Sequence, residues 1–223
     1  MNYSSIKPSF LVFCLSLFYV IGVAQDTTNA GNLGMAIQFT NTGIENIEVG
    51  NSKEAIKNLT AAISAHNEYE KAYLQLYQAW LIEKTQTQEI LILMQQGNRV
   101  FEANDELYFY TGELQRNLKD VKGSIVSYTK AINASKARDE GFFLIPYYYQ
   151  NRGNSYLKTQ QLNLALLDYN ELLKLNPFSN AGLTNRGITY YQLKNKNAAC
   201  ADWATGIANE SKESKMYFDK YCQ

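Results

Sequence analysis

The stretch Asn151-Arg-Gly-Asn-Ser-Tyr156 occurs a second time, with two substitutions, as Asn185-Arg-Gly-Ile-Thr-Tyr190. The two copies share the form Asn-Arg-Gly-x-x-Tyr, and their starting positions, 151 and 185, define the period of a repeat. A period of about 34 residues is typical of a helix–turn–helix hairpin, which cannot bury its apolar face alone and must stack on its neighbours. The stretch therefore predicts a chain that is built from repeated helical hairpins. We name the two helices of each hairpin helix A and helix B.

The same offset relates further positions outside this stretch. Ala165 corresponds to Ala199, Tyr169 corresponds to Trp203, and Pro177 closes the first copy where helix B has to end. A small residue followed four positions later by a large aromatic one forms a single helical face. Glycine costs about 1 kcal/mol in a helix interior relative to alanine, so the glycine of helix A is expected to allow a close approach of helix B.

These residues resemble the tetratricopeptide repeat family, most specifically between residues 146 and 213. The resemblance implies an all-α fold, an α-solenoid of about five hairpins with a C-terminal capping helix. The expected hairpins cover 36–69, 70–104, 105–145, 146–179 and 180–210 of a solenoid at 36–210, and the cap covers 211–223. The predicted structural positions are Gly43, Ala55, Gly112, Gly153, Tyr156, Ala165, Tyr169, Pro177, Gly187, Tyr190, Ala199 and Trp203.

Two hairpins depart from the pattern. In the hairpin 70–104, Tyr77 stands where glycine is expected and Glu89 stands where alanine is expected. The spacing from Gly112 to Gly153 exceeds the period by an amount that corresponds to about two helical turns. We therefore expect longer facing helices in the hairpin 105–145.

Residues 1–24 form a separate segment. Lys7 precedes an apolar run of 13 residues at 11–23, and small residues lead up to Ala24. This pattern predicts a secretory signal peptide that is cut after Ala24, with an uncleaved membrane anchor as the alternative. The mature protein is then secreted or periplasmic and does not insert into a membrane. Residues 25–35 are small and polar and are expected to be a disordered lead.

The composition excludes several classes of function. Without residues 1–24 the chain carries 20 basic and 21 acidic residues, a net charge of −1. A near-neutral chain without a basic run is not expected to bind nucleic acid. His66 is the single histidine and has no metal-ligand partners at suitable spacing. The sequence therefore predicts no enzyme activity, no metal and no cofactor.

Two cysteines remain after signal cleavage, Cys200 and Cys222. An even pair in a secreted protein favours a disulfide, and two separate small buried residues are the alternative. The segment Ala199-Cys-Ala-Asp-Trp203 with the closing Lys220-Tyr-Cys222 also resembles the last repeat of secreted tetratricopeptide proteins from Bacteroidetes-type bacteria.

The resemblance also implies a partner-binding groove lined by the A helices, where an asparagine often contacts the ligand backbone. An amide offers both a donor and an acceptor, which suits an extended peptide. Asparagines that repeat duplication has left on the helix surface are the alternative. The predicted groove residues are Asn41, Gln75, Tyr110, Asn151, Asn154, Asn185 and Tyr191.

The favoured function is a non-enzymatic scaffold outside the cytoplasm that binds a protein or an extended peptide. A second hypothesis is an accessory subunit of an extracytoplasmic enzyme or glycan-handling complex. A third is a glycan-binding protein, suggested by 17 tyrosines, although many of these occupy expected packing positions. The identity of the partner is not encoded in these patterns.

Overall fold

The computed structural model describes residues 31–137 and 144–223, and every regular element within them is a helix. The all-α prediction is therefore confirmed for the described part of the chain. Helix α1 runs from residue 31 to residue 48. The others are α2 (Ser52–Ala65), α3 (Glu70–Glu83), α4 (Thr87–Val100), α5 (Asp105–Asn117), α6 (Val121–Ala137), α7 (Ile145–Lys158), α8 (Leu162–Leu175), α9 (Asn180–Gln192), α10 (Lys196–Ala208) and α11 (Lys212–Tyr221).

Polar side chains at the start of the helices fix where they begin. The side chain of each of these N-cap residues accepts a hydrogen bond from a backbone amide in the first turn, which otherwise has no partner within the helix. The residues are Asn51, Asn104, Ser179, Asn195 and Ser211. Helix α7 instead carries Pro146 in its first turn, where a missing amide proton costs nothing.

The chain forms two compact units, which divide between Lys84 and Thr85. The division falls inside the predicted hairpin 70–104. In the first unit α2 packs against α3, and the buried Ser52 hydroxyl donates to the Ala79 carbonyl at 3.0 Å. In the second unit each helix from α4 to α11 packs against the next one along the chain. Helices α7 and α9, the A helices of successive hairpins, also contact each other.

In the four hairpins whose helix A carries the repeat glycine, that glycine lies against a large side chain of helix B. A Cβ atom placed on Gly153 would lie 2.9 Å from the Cε1 atom of Tyr169. Tyr169, rather than Ala165, therefore occupies the space beside this glycine. Ala165 is also completely buried. The same arrangement pairs Gly43 with Leu59, Gly112 with Tyr128 and Gly187 with Trp203.

The predicted register of α4 is wrong by one residue. Glu89 is exposed, whereas Ile90, Met94 and Gly97 are buried at the spacing that Ala165, Tyr169 and Leu172 show in α8. The connection before α4 contains Lys84 and Gln86, both in the left-handed backbone conformation. Helix α3 continues for six residues beyond Tyr77, whereas α7 continues for five beyond Gly153, and this extra residue moves the buried face of α4 forward by one position.

The expected disordered lead at 25–35 is also corrected in part, because residues 31–35 belong to helix α1. Once a helix has formed, extending it adds one hydrogen bond for each residue fixed, so a polar flanking segment can join it. Residues 25–30 and the predicted signal peptide lie outside the described residues. Within residues 31–137 and 144–223, none of the helices has the length and hydrophobicity needed to cross a membrane.

The extra length of the hairpin 105–145 lies partly in its helix B. Helix α6 has 17 residues, whereas α2, α4 and α8 each have 14. The expected lengthening of both facing helices is therefore found in α6 only, since α5 has 13 residues. The remaining extra residues fall at 138–143, outside the described part of the chain.

Candidate partner-binding site

The predicted groove residues lie on A helices of both units. Asn41 is exposed on α1 and Gln75 is half-buried on α3, both in the first unit. The second unit carries the other five residues, one on α5, two on α7 and two on α9. They are Tyr110, Asn151, Asn154, Asn185 and Tyr191.

Asn154 and Asn185 form a hydrogen-bonded pair between α7 and α9. The Oδ1 atom of Asn154 accepts from Nδ2 of Asn185 at 2.9 Å and from the hydroxyl of Tyr169 at 2.8 Å. Burial raises the pKa of Tyr169, so its hydroxyl stays protonated and acts as the donor. Both amides are half-buried. These bonds fix the orientation of the two amides, and within residues 31–137 and 144–223 no hydrogen bond is made by Nδ2 of Asn154 or Oδ1 of Asn185.

Two other predicted groove residues, Asn151 and Tyr110, form hydrogen bonds within their own helices. Nδ2 of Asn151 donates to the Tyr147 carbonyl at 3.0 Å, one turn earlier in α7. The Tyr110 hydroxyl donates to Oε2 of Glu106 at 3.0 Å in α5. The Asn151 amide and the Tyr110 ring are therefore each held by a hydrogen bond within their own helix.

Tyr191 belongs to an aromatic cluster at the end of the chain rather than to the amide pair. Its ring centroid lies 4.4 Å from that of Tyr221 and 6.1 Å from that of Trp203. Tyr217 stacks on Trp203 at 5.5 Å. The cluster connects α9, α10 and the capping helix α11.

A buried ion pair that the sequence reading missed joins α7 to α8. Arg152 donates through Nε and Nη2 to the two carboxylate oxygens of Asp168 at 2.8 and 2.7 Å. Its Nη1 donates to the Thr129 hydroxyl on α6 at 3.0 Å. The side chains of Arg152 and Asp168 are only 16% and 4% exposed. One guanidinium therefore ties three successive helices together.

The equivalent pair recurs in the next hairpin. Arg186 contacts both oxygens of Asp202 at 2.8 and 2.7 Å, and its Nη1 donates to Asn170 on α8 at 2.8 Å. The hydrogen bond to Asp202 raises the pKa of Arg186. Both arginines belong to the repeated stretch, and the two aspartates recur at the same offset. That shared offset was the signal that would have revealed the pairs.

Tyr156 and Tyr190, two of the predicted structural positions, are half-buried and pack on these guanidinium groups. The Arg152 guanidinium carbon lies 5.8 Å from the Tyr156 ring centroid, and the Arg186 carbon lies 6.0 Å from that of Tyr190. At these distances a cation and an aromatic face attract each other. Each tyrosine therefore adds a cation–aromatic contact to one of the buried ion pairs.

Cys200 on α10 and Cys222 after α11 form a disulfide, with Cα atoms 5.8 Å apart. The cap is held further by Ser214, whose hydroxyl lies 2.7 Å from that of Thr184 on α9. Both hydroxyls are buried. A Cβ atom on Gly206 of α10 would collide with Ser214, so glycine is what lets α11 approach.

His66 is half-buried and caps the end of α2. Across residues 31–137 and 144–223, no group of three or more histidine, cysteine or acidic side chains is placed to hold a metal ion.

One segment matches a protein-family model. Residues 146–179, the hairpin of α7 and α8, match the model of the tetratricopeptide repeat. No curated protein matches the chain.

Several solved structures share the fold. A crystal structure of MamA protein has a TM-score of 0.70 at 14% identity and covers 81% of this chain and 94% of its own. YrrB, described as a tetratricopeptide repeat protein with an unusual peptide-binding site, has a TM-score of 0.68 at 14% identity, with coverage of 91% and 97%. PilW, a type IV pilus biogenesis factor, has a TM-score of 0.63 at 15% identity, with coverage of 78% and 77%. The chain therefore contains a tetratricopeptide repeat at residues 146–179 and shares the helical-repeat fold of these proteins.

Proposed function

We propose that this protein is a tetratricopeptide scaffold that binds an extended segment of a partner protein along the A helices of its second unit. It carries no enzyme activity of its own in this proposal. The matched repeat and the shared fold support a role in protein–protein interaction. The proposed binding site on this protein comprises Tyr110, Asn151, Asn154 and Asn185.

The observation that carries the proposal is the bonding of Asn154 to Asn185. Because Oδ1 of Asn154 already accepts two hydrogen bonds, Asn154 presents its Nδ2 donor and Asn185 presents its Oδ1 acceptor. A peptide group has one carbonyl acceptor and one amide donor, which matches this pair. Backbone recognition of this kind favours an extended segment over a folded surface.

The proposed location is outside the cytoplasm. The predicted signal peptide at residues 1–24 supports it, and so does the disulfide between Cys200 and Cys222, since such bonds persist in oxidising compartments. Mass spectrometry of the protein from its own cells tests this directly. The expected mass is that of a chain beginning at Gln25 with no alkylated thiol, and an intact N-terminus in the cytoplasmic fraction would contradict it.

The double variant Asn154→Ala with Asn185→Ala tests the binding site. Capture of the partner by tagged protein in its own cells, after crosslinking and quantified by mass spectrometry, is expected to fall by about tenfold, because two hydrogen bonds to the ligand are lost. The variant Tyr169→Phe is the matched control, since it removes the internal bond to Asn154 but keeps both amides. Partner capture that is equal in the double variant and the wild type would reject this site.

A further inference from the structure

A polar pocket of about 470 Å³ lies between α4, α5 and α6 in the second unit. Its volume is within the range of about 300–1,000 Å³ that is typical of ligand pockets. It is lined by Thr111, Ser127 and Gln115, among others, whereas the predicted groove residue Tyr110 is not part of its lining. It therefore uses a different face of α5 from the proposed peptide site.

The repeat register explains why this pocket exists. Counting from Gly112 and Gly153, Thr111 is equivalent to Arg152, and Ser127 is equivalent to Asp168. The next two hairpins place an arginine–aspartate pair at these positions, and the guanidinium reaches across to the preceding helix B. Two small hydroxyl residues replace the pair here. The space that a guanidinium fills elsewhere is left as a pocket.

The Asn98 side chain in the lining of the pocket has an acceptor for a hydrogen bond with a ligand. Nδ2 of Asn98 donates to the Thr111 hydroxyl at 2.8 Å, which orients the amide. Oδ1 of Asn98 is buried and has no hydrogen-bond partner within the described residues. A buried acceptor without a partner is unfavourable, so a ligand that donates a hydrogen bond to it is favoured.

The charges around the pocket select the ligand. Arg99 on α4 and Lys130 on α6 line it, and no carboxylate does. The Lys130 Nζ atom lies 5.4 Å from the Tyr108 ring centroid, and neither cation takes part in an ion pair recorded for residues 31–137 and 144–223. A guanidinium from another protein would be repelled by two cations and would lack the aspartate that holds Arg152. The pocket is therefore suited to anions.

We propose that this pocket binds an acidic segment of a partner polypeptide. The carboxylates of two neighbouring acidic side chains pair with Arg99 on α4 and Lys130 on α6. A backbone amide of the same segment donates to Oδ1 of Asn98. Two cations on separate helices favour two side-chain carboxylates over the single carboxylate of a chain end.

The test uses the full mature chain and a fluorescein-labelled, C-terminally amidated peptide, Gly-Ser-Glu-Gly-Glu-Ser-Gly. Binding is measured by fluorescence polarisation at low salt and at several-fold higher salt. The acidic peptide is expected to bind at least about tenfold more tightly than its glutamine counterpart, and less tightly at the higher salt concentration. Equal binding of the two peptides, or no binding of either, would overturn the proposal. A neutral peptide with a free C-terminus that binds as well would overturn the assignment to acidic side chains.

Two variants locate the binding. The double variant Arg99→Gln with Lys130→Gln is expected to weaken binding of the acidic peptide by about tenfold, since each partly exposed ion pair contributes modestly to the affinity. The matched control Lys119→Gln with Lys122→Gln removes two cations outside the pocket and should change binding by less than about twofold. If the control weakens binding as much as the first variant, the pocket is not the site.

The second variant fills the pocket. Thr111→Arg with Ser127→Asp introduces the pair found in the next two hairpins and should abolish peptide binding. Its melting temperature should equal or exceed that of the wild type, because the new pair has the setting of Arg152 and Asp168. Retained binding by this folded variant would overturn the proposal, and if it fails to fold, the Arg99 and Lys130 variant carries the test. Asn154→Ala with Asn185→Ala should leave this binding unchanged, so the two proposals fail independently.

Discussion

At the scale of single residues, the fold depends on which side chain of helix B fills the space beside the repeated glycine. In the second unit the space beside the glycine is taken by an aromatic ring of helix B: Tyr128, Tyr169 and Trp203 lie against Gly112, Gly153 and Gly187. The sequence predicted close contact between helices A and B at this position. It did not reveal that the aromatic residue, rather than the small one, makes the contact, because both recur at the same period.

Gly153→Ala is expected to lower the free energy of unfolding, despite the gain of about 1 kcal/mol in helix propensity. The new Cβ atom would lie 2.9 Å from the Tyr169 ring, whose hydroxyl is anchored on Asn154. The ring cannot slide freely, so overpacking at the upper end of about 1–3 kcal/mol should dominate. Chemical denaturation followed by circular dichroism measures the change.

The control for this prediction is Gly34→Ala in α1. A Cβ atom there would have no neighbour within 4 Å among residues 31–137 and 144–223, so the variant should gain up to about 1 kcal/mol of helix propensity. Opposite signs for the two variants support the packing assignment. A stabilising effect of Gly153→Ala would contradict it.

The buried ion pairs are the second feature at the residue scale. Arg186→Ala leaves Asp202, whose side chain is 9% exposed, without its partner. Removing one member of a fully buried pair costs about 3–5 kcal/mol, and because Arg186 is 22% exposed the expected loss here is smaller, about 2–3 kcal/mol. The free energy of unfolding from urea titration gives the value.

Lys174→Ala provides the comparison, because its pair with Glu171 is 69% and 44% exposed. Exposed pairs contribute about 0–1 kcal/mol, so this variant should be nearly neutral. Similar losses for Arg186→Ala and Lys174→Ala would mean that the buried pair does not stabilise the array.

At the scale of elements, helix α11 buries little of its surface and is held to the preceding helices by a disulfide and by aromatic contacts. Helix α11 has only one fully buried residue, Ser214, and its aromatic residues pack on Trp203 and Tyr191. The disulfide between Cys200 and Cys222 spans 22 residues of chain. A covalent tie therefore compensates for the exposed outer face of the final hairpin.

Reduction of this disulfide should destabilise the C-terminal end first. For a loop of 22 residues, chain entropy suggests a loss of about 3 kcal/mol. The melting temperature should fall on addition of reductant, and limited proteolysis should then cut between Ser211 and Lys220. The variant Cys200→Ser with Cys222→Ser should behave like the reduced protein and show no further change with reductant. An unchanged melting temperature would contradict this role of the bond.

The predicted elements were most accurate where the repeat pattern was strong. Helices α7 to α10 fall within the expected hairpins 146–179 and 180–210, apart from the first residue of α7. In the hairpin 70–104 neither Tyr77 nor Glu89 matches the repeat pattern, so no residue type signalled the extra residue of α3 that lies between them. Its left-handed residues, Lys84 and Gln86, have side chains that give no signal of that conformation.

At the scale of the whole molecule, the sequence predicted one continuous array over residues 36–210, and the structure shows two units. The boundary lies between Lys84 and Thr85, in the hairpin with the weakest repeat pattern. Each hairpin of such an array contacts only its neighbours, so a period alone does not report where the array divides. The bonding of Asn154 to Asn185 was likewise invisible, because it depends on the orientation of two amides.

The central claim is that A helices of the second unit hold an extended segment of a partner protein. Site-specific photo-crosslinking in the producing cells, with benzoylphenylalanine placed singly at Tyr110 or Asn151, tests it most directly. The exposed Leu164 on α8 is the control position, because it lies on a helix B. We predict that the two test positions crosslink to successive residues of one linear segment and that the control does not reach it. Crosslinks that are scattered over a folded surface, or equally strong from Leu164, would contradict the account.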